Sequence, residues 1–285
     1  MKHIDCKKYA QEILDEVKAV PYKKSLVIIT VGENPASQSY VKGKIKDCEY
    51  CGIPHHHIQI PNDAHAKANL AYHIANSNVD DSVGGIIIQL PLPEGFNEEW
   101  FTNMVYPETD VDGFLADSPF KPCTPEGIMH ILRKEIGCLE GQRVLVIGRG
   151  KLVGKPLTEM LVDADCTVTI AHSKTKHLKY LLEDPWDVVI TATGIPNLVD
   201  LRRCRASLVI DAGIARDESG KLVGDCYNFA ERLYFGMDVT PVPGGVGLLT
   251  RAMLMKHMTQ TKEDTGHGNF TEQQEGLEGQ LRIQG

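Results

Sequence analysis

The sequence predicts an α/β protein: an N-terminal α/β substrate domain with a parallel sheet, then a Rossmann-type dinucleotide-binding domain, with a cleft between them. Three observations predict it. Short apolar runs at 26–31, 84–90 and 143–147 lack polar alternation and are separated by helical stretches, as in parallel strands covered on both faces by crossover helices. The pattern runs twice, broken by Pro119, Pro122 and Pro125. A glycine-rich loop, Gly148-x-Gly150-x-x-x-Gly154, follows one of the strands and opens a helix.

The first series begins with an amphipathic helix over 11–20 (Ile13, Leu14, Val17, Val20), ended by Pro21. A strand at 26–31, a helix over 37–51 closed by Gly52, a strand at 57–60, a helix over 64–78 and a strand at 84–90 follow. A helix at about 125–135 leads into the second series, with strands at 143–147, 167–171, 187–191 and 208–211. Residues 249–258 read as a helix that returns to the first domain. The expected division is 1–121 for the substrate domain, with a helix at about 249–260 packed back on it, and 122–248 for the dinucleotide domain. Residues 262–285 carry two basic and five acidic groups among polar residues, and are expected to form a loose tail.

The net charge is −8 with lysine and arginine scattered, which argues against nucleic acid or a membrane surface as partner. No apolar run approaches the ~20 residues of a membrane span. The charged start, Met1-Lys2-His3-Ile4-Asp5, has no signal-peptide pattern, so a cytoplasmic location is expected. The eight cysteines are spread along the chain, mostly in apolar or helical contexts, and read as reduced core residues. Cys48-x-x-Cys51 lies at a helix end without a second pair, and His55, His56 and His57 alternate across a strand. No metal site is expected from either.

Glycines after a strand let backbone approach a pyrophosphate, and the helix N-terminus offers aligned N–H groups. The spacing is one residue longer than G-x-G-x-x-G. The next strand decides the cofactor. A free ribose 2′-hydroxyl is usually met by Asp or Glu about 20 residues beyond the glycines. Here the strand ends Ala171-His172-Ser173-Lys174-Thr175, with no acid. Arg149, Ser173 and Lys174 could instead hold a 2′-phosphate, so NADP is expected rather than NAD.

In the helix over 37–51, Val41, Ile45 and Cys48 form the inward stripe, and Tyr40 and Lys44 share a neighbouring face one turn apart. Beyond the carboxyl end of a strand, they could bring an aromatic plate and a proton-transferring amine into one cleft. Gln89 and the Asp110-Val111-Asp112-Gly113-Phe114 segment fall near the same sheet edge.

With these residues assembled, the chain resembles the bifunctional methylenetetrahydrofolate dehydrogenase/methenyltetrahydrofolate cyclohydrolase family. The matching segments are Tyr40-x-x-x-Lys44, GIIIQLPLP at 85–93, DVDGF at 110–114, PCTPEG at 122–127, GRGKLVGKP at 148–156, HSKT at 172–175 and TPVPGGVG at 240–247. They run in the family's order to about residue 258. QLPLP and PVPGGVG are far more specific than the glycine loop.

The resemblance implies two reactions in one cleft. Hydride passes from the methylene bridge of 5,10-methylenetetrahydrofolate to NADP, and water then opens the methenyl cation to 10-formyltetrahydrofolate. It implies Lys44 as the proton-transferring residue, Tyr40 stacked on the folate, Gln89 hydrogen-bonded to Lys44, and Asp112 on the pterin donors. Leu90, Pro91, Pro243, Gly244 and Gly245 would line the substrate. Gly148, Arg149, Gly150, Gly154, Ser173, Lys174, Thr193, Gly194 and Ile214 would meet the cofactor. It also implies tetrahydrofolate one-carbon derivatives as partners, a homodimer, and a place in one-carbon metabolism feeding purine biosynthesis. The residue types suit the chemistry. A lysine moves protons near neutral pH only where its surroundings favour the amine. Burial and a neighbouring cation do so, and an uncharged amide partner permits it where a carboxylate would not.

Three departures from the family pattern stand out: Gly150 where serine is common, Leu248-Leu249-Thr250 where Pro-Met-Thr is common, and Thr109 where lysine is frequent. They leave cofactor preference and the balance of activities open. Alternatives are a monofunctional or NAD-preferring dehydrogenase, and a folate- or nucleotide-binding protein without catalysis. A shikimate-dehydrogenase-like enzyme would share the two-domain plan but gives no account of QLPLP.

Overall fold

A computed structural model of the chain describes residues 4–21, 24–229 and 236–261. The expected tail at 262–285 lies outside the described residues. Helix α1 (Cys6–Lys18) starts earlier than its apolar periodicity suggests, because Asp5 caps it by accepting the Lys8 N–H at 2.9 Å. Its buried stripe, Tyr9, Ile13, Leu14 and Val17, recurs every three to four residues.

Strand β1 (Ser25–Val31) is buried at every residue, as expected of the centre of a sheet covered on both faces. It pairs in parallel with β2 (His55–Ile60) and β3 (Val83–Ile88), giving the order β2-β1-β3. Helices α2 (Pro35–Cys51) and α3 (Ala66–Asn78) make the crossovers. The short helix α4 (Glu98–Thr102), capped by Asn97, and a 3-10 turn at Pro107–Thr109 follow β3. The Cys48 thiol meets the Met255 sulfur at 3.6 Å and the Cys51 thiol donates to the Leu14 carbonyl at 3.6 Å. The C-x-x-C pair therefore points to two different helices.

After α5 (Cys123–Glu135) come β4 (Arg143–Ile147), α6 (Gly154–Val162), β5 (Thr167–Ala171), α7 (Leu178–Glu183), β6 (Pro185–Thr191), β7 (Val199–Asp200) and β8 (Arg205–Asp211). Short pieces β9 (Ala215–Arg216), β10 (Leu222–Val223), β11 (Cys226–Tyr227) and β12 (Asp238–Val239) precede α8 (Val246–Met258). The five-stranded sheet has the order β12-β8-β6-β4-β5 and every pairing in it is parallel. Helix α8 is buried on most of its surface and packs on α1, α2 and α5. One apolar cluster runs from Leu26, Ile28 and Ile87 of the first sheet through Ile128 and Met253 to Val144 and Ile190 of the second. The two sheets are thus held by a shared core.

In both sheets the chain reverses direction beside its first strand: between β1 and β3, and between β4 and β6. Such reversals open a crevice beyond the carboxyl ends of the strands. Two crevices result, and both face the same cleft.

Candidate active site

The N-terminal crevice is built from side chains. Tyr40 and Lys44 project from α2, which follows β1. Gln89, Leu90 and Pro91 follow β3, and Asp112 follows the 3-10 turn. All six line a cleft of about 720 Å³. Lys44 is only 9% exposed, yet among the described residues it forms no salt bridge. Burial pushes the Asp112 carboxyl up, and the nearby Lys44 and His257 partly offset this. Burial also raises the Tyr40 phenol, against the pull of Arg216 and Arg251.

The loop carrying Asp112 is pinned from both sides. The Asp110 carboxylate accepts the Leu115 N–H at 2.8 Å, and burial pushes its carboxyl up to about 6. The Val111 carbonyl accepts from His257 Nδ1 at 2.8 Å, while His257 Nε2 sits 2.6 Å from Glu126. Glu126 belongs to the PCTPEG segment, so that segment fixes the DVDGF loop through α8.

The resemblance leads one to expect a Gln89–Lys44 hydrogen bond, and among the described residues it is not formed. Gln89 Nε2 donates instead to the carbonyl of Leu90 at 2.8 Å. Its Oε1 is buried without a partner. That bond holds the amide plane against its own backbone and leaves an unused acceptor in the wall of the cleft.

The C-terminal crevice is built mostly from backbone. Gly148 ends β4 with φ +117°, and a Cβ there would lie 2.5 Å from the Ala192 carbonyl oxygen. A Cβ on Gly154 would lie 2.1 Å from the Gly148 carbonyl oxygen. Only glycine lets the loop fold this tightly onto the start of α6, and Gly150 between them faces open space. Ile147 and Ala171 are paired neighbours, so the loops carrying Arg149 and Ser173-Lys174 leave the sheet side by side. Arg149, Gly150, Ser173 and Lys174 are exposed. The second loop is fixed by His172 N–H to Thr175 Oγ1 at 2.8 Å and by Lys174 N–H to His172 Nδ1 at 3.1 Å. A tight glycine turn, a nine-residue helix start and exposed cations suit a phosphorylated dinucleotide.

Gly194, Ile214, Pro243, Gly244 and Gly245 line the cleft from this side, whereas Gly148, Arg149, Gly150, Gly154, Ser173, Lys174 and Thr193 lie outside its lining. Both the N–H and the hydroxyl of Thr193 are committed to Asp225 Oδ2 at 2.8 Å. The Leu90–Pro91 and Val242–Pro243 peptides, one from each half, are cis.

Two family models divide the chain between them. The model of the tetrahydrofolate dehydrogenase/cyclohydrolase catalytic domain matches residues 4–112, and that of the family's NAD(P)-binding domain matches residues 122–265. The chain belongs to the tetrahydrofolate dehydrogenase/cyclohydrolase family. It is 40% identical to bifunctional protein FolD 3 of Ectopseudomonas mendocina, with 96% of each chain covered. The structure of the bifunctional FolD methylenetetrahydrofolate dehydrogenase/cyclohydrolase from Campylobacter jejuni superposes with a TM-score of 0.84 at 37% identity, covering 92% of this chain and 98% of that one. The Trypanosoma brucei dehydrogenase-cyclohydrolase, solved with NADP cofactor and inhibitor, gives 0.81 at 29% identity over 90% and 95%. The chain is accordingly an enzyme with the family's two activities, dehydrogenase and cyclohydrolase, on tetrahydrofolate one-carbon derivatives.

Among the members of the cleft that sequence reasoning missed are Glu98, Phe114, Arg216 and Arg251. Phe114 lay inside a motif already singled out. Arg251 carried a signal of its own, a charged residue between the apolar Leu248-Leu249 and Ala252-Met253-Leu254-Met255. Glu98 and Arg216 lie on short elements with no sequence period to reveal them.

Proposed function

We propose that the family's two reactions run in this cleft with the division of labour its two walls suggest. The supporting observation is Lys44: a buried amine without a carboxylate partner, beside the unpartnered Gln89 oxygen and within electrostatic reach of Asp112. Tyr40 supports the aromatic plane of the folate, and Asp112 accepts hydrogen bonds from the pterin. These contacts place the methylene bridge against the loop of Pro243, Gly244 and Gly245, which needs little more than good placement for hydride loss.

Loss of hydride leaves the methenyl cation. In the second reaction, water adds to the methenyl carbon while Lys44 takes its proton. The hydroxyl proton of that adduct then leaves to solvent as the bond from the carbon to N5 breaks, and Lys44 returns its proton to N5, leaving the formyl group on N10 and one proton released overall. Gln89 Oε1 is placed to accept from the lysine or from that water.

The cofactor is NADP, which accepts the hydride when bound. Gly148, Gly150 and Gly154 admit its pyrophosphate, with Gly194 and Ile214 on the cleft side. Arg149, Ser173 and Lys174 meet the 2′-phosphate. Thr193 acts indirectly, by fixing the loop before Gly194. We divide the chain at about residue 121, with the helix beyond 248 returning to the first part. We further place the enzyme in the cytoplasm, as a homodimer, supplying one-carbon units for purine biosynthesis. The homodimer and the purine role rest on the family resemblance.

The test is a spectrophotometric assay with 5,10-methylenetetrahydrofolate and either NADP or NAD, beside direct hydrolysis of methenyltetrahydrofolate. Turnover with NADP and rapid methenyl decay are expected. Turnover only with NAD would overturn the 2′-phosphate assignment, and no turnover by folded protein would overturn the mechanism.

A further inference from the structure

Arg251 has a place prepared for it by two residues of another helix. Its Nε lies 2.9 Å from Asp47 Oδ2, in an ion pair whose side chains are 23% and 9% exposed. To reach Asp47 it crosses α2 at Gly43, where a Cβ would lie 1.7 Å from Arg251 Nη1 and 2.8 Å from Cζ. No other side chain fits at position 43 while the guanidinium stays where it is. Despite the ion pair, Nε finds no acceptor in hydrogen-bond geometry. Among the described residues, no N–H of this guanidinium donates a hydrogen bond. A half-buried guanidinium, anchored on one side and with its donors unspent, faces the cleft beside Tyr40 and Lys44.

A second guanidinium reaches the cleft from the other half of the molecule. Arg216 stands on β9 and is steadied by donating to the Gly220 carbonyl. Both arginines act on the Tyr40 phenol, so Tyr40 stands within electrostatic reach of each. The nearby carboxylates each have partners of their own. Asp211 accepts the N–H groups of Gly213, Asp225 and Cys226, Glu98 accepts the Leu92 N–H, and Asp47 already serves Arg251. At the Tyr40 end of the cleft the Arg251 and Arg216 guanidiniums are the groups with donors to offer an anion.

Position along α8 says which end of the substrate this is. His257 bonds the Val111 carbonyl next to Asp112, and Arg251 lies six residues earlier, about 9 Å along the helix axis. Asp112 takes the pterin in the proposed function, on which this inference rests. Tyr40 takes the aminobenzoyl ring, so Arg251 and Arg216 stand where a tetrahydrofolate carries its glutamyl carboxylates. We propose that Arg251, seated by Asp47 and Gly43, forms with Arg216 a carboxylate-binding subsite for the glutamyl end of the folate. Fork-shaped donors facing a planar carboxylate are the geometry in which arginine exceeds lysine.

The test compares kcat/KM for 5,10-methylenetetrahydrofolate with that for the 5,10-methylenetetrahydropteroate analogue lacking glutamate. The parent protein is expected to favour the glutamyl substrate. Arg251→Leu should lower that preference about tenfold through the KM of the glutamyl substrate. Gly43→Ala, which displaces the guanidinium without removing it, should do the same, and the double variant should lose no more than either alone. Arg216→Leu, on an exposed hairpin, should lower the preference independently and serves if the α8 variant does not fold. An unchanged preference in Arg251→Leu and in Arg216→Leu overturns the subsite, as does an equal loss on both substrates. A parent enzyme that turns over both substrates without preferring glutamate overturns this inference alone. A parent that turns over neither overturns the folate mechanism, and the subsite with it.

Discussion

The two crevices lie at equivalent places in their sheets and are made of different material. Beyond β1 and β3 the site consists of side chains, with Lys44 buried, Asp112 half-buried and the Gln89 oxygen out of contact with solvent. Beyond β4 and β6 it consists of glycine backbone, with Arg149, Ser173 and Lys174 standing in solvent. The contrast follows from the chemistry at each. Proton transfer depends on side chains whose surroundings tune them, so they must be sunk in the protein. A polyanionic cofactor is gripped well by N–H groups and exposed cations, which lose little hydration on binding. Substitutions in the first crevice should therefore change folate binding or the chemical step. Substitutions in the second should change cofactor affinity.

Among substitutions that act on both reactions together, the largest effect is expected at Asp112. Asp112→Ala leaves the pterin donors unpaired in a buried site, so kcat/KM should fall about 100-fold for both reactions together. Loss of only one activity would show that Asp112 acts on chemistry and not on binding. A smaller effect is expected across the cleft. Arg149→Ala should raise the KM for NADP about tenfold, the equivalent of roughly 1.4 kcal/mol, while leaving NAD nearly unaffected. Equal changes for both cofactors would remove Arg149 from the 2′-phosphate. The smallest effect on catalysis is expected at Asp200, away from either crevice. Arg202 bonds it through Nε at 3.0 Å and Nη2 at 2.8 Å, with Asn228 adding a bond at 2.8 Å. Arg202 above all holds this carboxyl far below the usual carboxylate range. A depressed native value stabilises the fold above the unfolded pKa of about 3.9, and that contribution fades as pH falls toward the native value. Asp200→Asn should therefore cost about 1.5–3 kcal/mol at pH 7 in denaturant melts. The gap to the parent should narrow below about pH 4, with kcat and KM at pH 7 unchanged.

The same contrast explains what was legible in the sequence. Strand β4 falls on the residues its apolar run indicates, and β1 begins one residue earlier, because burial on both faces writes itself as unbroken hydrophobicity; the edge strand β5 also falls on 167–171, though only Ala171 of it is buried. The glycine loop was legible because close backbone approach admits one residue type. Tyr40 and Lys44 were legible through helical spacing. Helices α4 and α7, five and six residues long, and the two-residue strands from β9 to β12 were not, since elements this short show no period. The Gln89 amide bond to its neighbour and the course of Arg251 over Gly43 depend on rotamers, which no residue pattern records.

The most direct test of the division of labour is a dual-wavelength progress curve on Lys44→Met, started with 5,10-methylenetetrahydrofolate and NADP. The account predicts continued NADPH formation while methenyltetrahydrofolate accumulates mole for mole, with hydrolysis down about 100- to 10,000-fold, the usual weight of a general acid–base. Methenyl decay at the parent rate would contradict it, and would take proton transfer away from Lys44.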